Sequence, residues 1–153
     1  AAYAERLHAC AKKYRKYAYL FDTQAKLCDV LAVKYALGYK TRKAYEAGDK
    51  ETLRALAEND YKEVIKRVRI FHAAFEKQWF TDNKSCGFDV QDLRLGGLLQ
   101  RTQSCQKRIL DYVNGKIPAI EELDEKLLPF GKKGEGMPVL LNNYAKISST
   151  NVF

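Results

Sequence analysis

Apolar residues in this chain recur at helical spacing rather than in alternation, the signature of helices with one buried face. Leu7, Ala11, Tyr14, Ala18 and Phe21 form one stripe. Residues 2–20, free of Gly and Pro, therefore predict a single helix. Asp22-Thr23 predicts either the cap of a second helix or a kink. Leu27, Leu31, Ala32, Tyr35 and Tyr39 carry the spacing on towards Tyr45, with Gly38 inside the pattern. In Ala47-Gly48-Asp49, Gly48 suits a left-handed C-terminal cap and Asp49 the next N-cap, ahead of a short helix bearing Leu53, Leu56 and Ala57. Asp60 and Glu63 have capping-box spacing, which predicts a break or bend at Asn59-Asp60. The longest stripe follows: Tyr61, Val64, Ile65, Val68, Phe71, Phe75 and Trp79. Glu63 and Arg67 stand four apart on it as a stabilising pair, and His72 borders it as an edge or core histidine.

The segment around which the chain is organised runs from Cys86 to Leu98. Asn83-Lys84-Ser85-Cys86-Gly87 predicts a turn. Asp89 then predicts an N-cap, with Asp92 completing a carboxylate capping box and Phe88 and Leu93 a hydrophobic staple. Both carboxylates lie at the positive end of the helix dipole. The helix is expected to run through Cys105, Ile109 and Tyr112 to a stop at Asn114-Gly115. Gly96-Gly97 is unexpected inside it, since an interior glycine costs about 1 kcal/mol relative to Ala. The pair implies close approach by another element: either a tight crossing inside the domain or a docking surface on which Asp92 and Arg94 face outwards. After Gly115, Pro118 predicts the first turn of a helix over Ala119–Leu127, supported by Glu122 and Lys126 and ended by Pro129. Residues 131–136 read as a Gly/Lys loop without the context of a phosphate loop, and residues 139–153 as an apolar tail that packs back.

The pattern gives an all-α fold: an antiparallel helical bundle of about four to six helices with a partly irregular C-terminal tail, residues 1–153 forming one domain. Its 153 residues, 46% hydrophobic and 30% charged, suffice for a core and exclude a disordered chain. No apolar run approaches a membrane span, so no membrane association is expected. Cys10, Cys28, Cys86 and Cys105 include no Cys-x-x-Cys pair, and with two histidines no metal site is expected. The thiols read as reduced, which sets the expectation of a cytoplasmic protein. The chain opens on Ala1-Ala2 without a methionine or a leader pattern and reads as a piece of a longer one.

The net charge of +8 is concentrated early: residues 1–45 hold ten Lys/Arg against three acids. Lys12, Lys13, Arg15 and Lys16 lie among Tyr14, Tyr17 and Tyr19, but helix-turn-helix spacing, RNP-like aromatics and Arg/Gly tracts are missing. A solvated basic face, or one turned to an acidic sister domain, outweighs nucleic-acid binding. No catalytic constellation appears. Asp89 and Asp92 form the one candidate acid/base pair, and capping explains them without chemistry. No cofactor is expected.

Phe75-Glu76-Lys77-Gln78-Trp79, followed by Asn83-Lys84-Ser85-Cys86-Gly87-Phe88-Asp89-Val90-Gln91-Asp92-Leu93-Arg94-Leu95-Gly96-Gly97-Leu98, resembles the C-terminal helical domain of bacterial glycoside hydrolase family 20 β-N-acetylhexosaminidases. Leu31 to Lys34, Arg42 to Lys50, Gly115 to Ile117, Ile120 to Leu123 and Ser149 to Val152 extend it over most of the chain. Ser85 stands where the pattern has Pro, leaving that turn less rigid. The resemblance implies a parent enzyme that removes terminal β-linked N-acetylhexosamine. In such enzymes the substrate's acetamido oxygen attacks, and an Asp-Glu pair on a (β/α)8 barrel orients it and supplies the acid. That machinery is not in this chain, so no catalytic role passes to any residue here. The implied role is a non-catalytic accessory domain, its partner the catalytic barrel, with a homodimer as a second expected association. The expected interface is Trp79, Asn83, Lys84, Phe88, Asp89, Asp92, Arg94, Gly96 and Gly97. The competing reading is a stand-alone helical module whose basic face binds an anionic partner.

Overall fold

The computed structural model describes residues 2–126. The elements are α1 (Ala2–Lys13), a 3-10 turn (Arg15–Tyr17), α2 (Ala18–Lys34), α3 (Leu37–Glu46), α4 (Lys50–Ala55), a π-helical turn (Leu56–Tyr61), α5 (Lys62–Asp82), α6 (Phe88–Val113) and the single-turn α7 (Glu121–Asp124). Among the described residues there is no strand, and the fold is an all-α bundle.

The three long helices run antiparallel, as their contacts show. Between α2 and α5, the Tyr19 hydroxyl donates to Asp82 at 2.6 Å and Arg67 Nη1 to the Asp29 carbonyl at 2.6 Å. Between α5 and α6, Trp79 meets Phe88 while His72 meets Asp92. At the far end, the Gln106 amide donates to the Ala57 carbonyl at 2.7 Å. Helix α1 folds back on α2, with His8 Nε2 2.9 Å from Asp29.

The predicted stripe of α5 is the spine of the core. Tyr61, Val64, Val68 and Phe71 are buried together with Leu53 of α4, Leu56 and Ala57 of the π-helical turn and Ile109 of α6, and Ile65 is also buried on α5. Each such aliphatic side chain stabilises the fold by roughly 1.5–3 kcal/mol through burial. The Glu63–Arg67 pair forms at 2.7 Å. Gly48 takes φ +68, and the Asp49 carboxylate accepts the Thr52 N–H at 2.9 Å. Gly115, at φ +72, follows α6 as expected.

Other expectations fail for identifiable reasons. Residues 2–20 are not one helix: Tyr14, at φ −106° and ψ 67°, leaves the helical region, and its ring meets Phe21 at 5.8 Å. Asp22-Thr23 is neither cap nor kink but lies inside α2. Thr23 is buried there, its hydroxyl shared between the carbonyls of Tyr19 and Ala74. The stripe Leu31, Tyr35, Tyr39 faces outwards, with Tyr35 90% exposed. The buried face instead holds Val30, Leu37, Thr41 and Ala44. Small side chains let helices approach closely, and Thr41 satisfies its hydroxyl on the Leu37 carbonyl and Tyr61.

No capping box forms at Asp60. The chain passes through the π-helical turn directly into α5, and Asn59 Nδ2 bonds back to the Ala55 carbonyl. The helix expected over Ala119–Leu127 contracts to α7. Ile120 is buried in extended backbone before it, and Glu122 pairs with Arg101 at 2.6 Å rather than with Lys126. Leu127, Pro129, the 131–136 loop and the 139–153 tail lie outside the described residues.

Candidate functional site

The organising segment forms the corner where α5 turns into α6. Asn83 ends α5 in an extended conformation, and the indole N–H of Trp79 donates to the Lys84 carbonyl at 2.9 Å, tying the turn to the helix it leaves. Gly87 adopts φ +91, and a Cβ there would lie 3.6 Å from the Trp79 ring. The left-handed conformation therefore makes this position a glycine. It is also the N-cap residue of α6. Asp89 is consequently not the cap but lies in the first turn, exposed, where its charge still faces the helix dipole.

The staple between Phe88 and Leu93 is also not made. Phe88 is buried among rings of α5, its centroid 5.2 Å from Phe80, 5.8 Å from Trp79 and His72, and 6.0 Å from Phe75. Leu93 stays 45% exposed. Phe88 is thus an interior anchor rather than an interface residue. Edge-to-face and tilted pairs of this kind are worth about 0.5–1.5 kcal/mol each beyond area burial, so they hold the start of α6 against α5.

One turn further, Asp92 Oδ1 lies 2.6 Å from His72 Nε2, with both side chains reachable from solvent. The pair lies in a groove of ≈ 300 Å³ between α5 and α6, lined by Val68, Arg69, His72, Asp92, Leu95, Gly96 and Leu99. The lining holds no hydroxyl, thiol or amine side chain. What the groove offers is an apolar floor with a polar, ionisable rim.

Among the described residues, no element crosses α6 closely at Gly96 and Gly97. Both are exposed, and a Cβ built on either meets nothing within 4 Å. With Asp89, Leu93 and Gln100 they lie on the solvent side of α6, leaving bare backbone between an exposed leucine and polar neighbours. Arg94 is exposed one residue beyond Leu93. The structure therefore gathers Asp92 and Gly96 at the groove, with Gly97 and Asp89 beside them on the outer face. Trp79, Asn83, Lys84 and Phe88 form the corner. Sequence reasoning missed His72 and Arg69 as groove residues. An α5–α6 hairpin closing on 83–87 brings the α5 residues around 72 opposite the second turn of α6, which was the available signal.

Among the described residues, no group of three or more His, Cys, Asp or Glu is placed to hold a metal ion, and no helix is long and apolar enough to cross a membrane. Comparison with curated proteins finds no match. A family model described as the Glycoside Hydrolase 20C C-terminal domain matches residues 1–141. This helical chain, with its corner and its bare-backed α6, belongs to the glycoside hydrolase 20C C-terminal domain family.

Proposed function

We propose that the chain is the non-catalytic C-terminal helical domain of a β-N-acetylhexosaminidase, and that it packs on the catalytic barrel of the same parent protein through the outer face of α6. The observation that carries this reading is the Gly96-Gly97 pair, exposed and unopposed within a 26-residue helix. Each glycine there costs about 1 kcal/mol of helix stability with no return among the described residues. A backbone or ring of the barrel lying against the bare surface supplies the missing return, with Leu93 as apolar contact and Asp89 and Asp92 as polar rim.

Two measurements test this. The purified domain is expected not to hydrolyse a chromogenic N-acetylglucosaminide that the parent enzyme turns over. In the parent, Gly97→Leu together with Arg94→Ala is expected to cost activity or assembly. Turnover by the domain that disappears on replacing Asp89 or Asp92 overturns the non-catalytic role. Full activity of the doubly substituted parent overturns the docking face.

A further inference from the structure

The end of the bundle that carries the α5–α6 corner also carries the turn between α1 and α2. The Tyr19–Asp82 hydrogen bond fixes the two side by side. That end is basic and aromatic. Lys12, Lys13, Arg15 and Lys16 are all exposed, and Lys84 is exposed in the adjoining corner. The rings of Tyr14 and Tyr17 stand 46% and 50% exposed among them, each with a lysine ammonium over its face, Lys13 at 5.2 Å and Lys16 at 5.4 Å. Of the acids at this corner, Asp82 is engaged by Tyr19, and Asp89 lies in the first turn of α6. The short 3-10 turn Arg15–Tyr17 presents these groups on a fixed scaffold, since the Tyr17 N–H is bonded to the Tyr14 carbonyl at 2.9 Å.

We propose that this end of the bundle binds an acidic polysaccharide. Its carboxylate or sulfate groups pair with the Lys/Arg cluster, and the apolar faces of its sugar rings stack on Tyr14 and Tyr17. Charge complementarity selects a polyanion. Partly exposed rings separated by cations, rather than a contiguous apolar patch, suit a thin chain of sugars better than a folded protein with an apolar interface core. The inference rests on the charge and the rings at this end of the bundle, so it stands or falls independently of docking through α6.

The test is binding of the 153-residue chain to immobilised chondroitin sulfate at physiological ionic strength. Neutral polysaccharide, duplex DNA and phosphatidylserine-containing vesicles are run in parallel. Chondroitin sulfate is expected to bind most tightly, with affinity falling as salt rises. Lys13→Glu with Lys16→Glu should weaken it by about tenfold or more. Lys40→Glu with Lys62→Glu, an equal change of net charge elsewhere, should leave it within about twofold. Tyr17→Ala, which keeps the charge, should weaken it by about three- to tenfold, with circular dichroism confirming an unchanged fold. Equal losses from the two charge reversals, an unaffected Tyr17→Ala, or tighter binding to DNA or vesicles each overturns the proposal.

Discussion

Replacing Gly96 and Gly97 by alanine separates what these glycines do inside the domain from what they do outside it. Both are exposed in the interior of α6, neither has a positive φ, and an added methyl meets no atom of the described residues within 4 Å. The backbone is already helical, so the substitution removes unfolded-state freedom without introducing strain. Helix propensity assigns each change about 1 kcal/mol of stabilisation, about 2 kcal/mol for the pair. For a chain of this size, 1 kcal/mol shifts Tm by about 2–4 °C, so the double variant should melt about 4–8 °C higher. Thermal melts followed at 222 nm, with urea titrations showing an unchanged m-value, read this directly. In the parent enzyme the same methyls enter the proposed contact, where overfilling costs about 1–3 kcal/mol. Its assembly or activity should therefore fall although its helical domain is more stable. A lower Tm in the isolated chain refutes the open surroundings of the glycines. A parent that gains the full stability and keeps its activity refutes the docking face.

Removing the α4 cap with Asp49→Ala should cost about 1 kcal/mol in urea unfolding, and Gly48→Ala, forced to a left-handed φ, about 1–2 kcal/mol. Leu53→Ala opens a void at a fully enclosed site and should cost about 3 kcal/mol, read as a lower urea midpoint. Hydrogen bonds from Arg67 and Arg101 hold the Glu63 and Glu122 carboxyls below the usual glutamate range. A depressed carboxylate contributes stability above its unfolded pKa and loses it as pH falls through the folded value. Tm should therefore decline below about pH 4.5, and Glu63→Gln with Glu122→Gln should flatten that decline. Burial raises the Tyr61 phenol, so its contribution is complete below about pH 10 and lost above it, and Tyr61→Phe should flatten the alkaline limb of the same Tm profile.

Where large aliphatic and aromatic residues recur without competition, the sequence pattern and the structure agree, as on α5 and at the Gly48-Asp49 and Asn114-Gly115 stops. The pattern misleads where small or polar residues do the packing. Thr41 and Ala44 are buried while Leu31, Tyr35 and Tyr39 are not. A count of hydrophobic positions weights tyrosine rings above threonines whose hydroxyls are satisfied within their own helix. The break at Tyr14 carries no glycine or proline to announce it. At the candidate site, the turn and its five-residue span were legible. The cap moved from Asp89 to Gly87 because a glycine at positive φ can end the turn two residues sooner. The His72–Asp92 pair joins residues on different helices, which periodicity within one helix does not reveal.

The wide turn Leu56–Tyr61 fuses α4 to α5 without a loop and holds one residue more than an α-helix of the same rise needs. Its register is pinned from outside by Gln106, bonded to the Ala57 carbonyl. The wide turn takes up that residue, so α4 and α5 keep close to the faces that a continuous helix would give them. Deleting one residue there would leave a uniform helix with Leu53 still turned to the core, whereas a deletion elsewhere in α5 would rotate the rest of that helix by about 100°. The seam is an expansion joint: it takes up a change of length inside a helix as a loop does between helices.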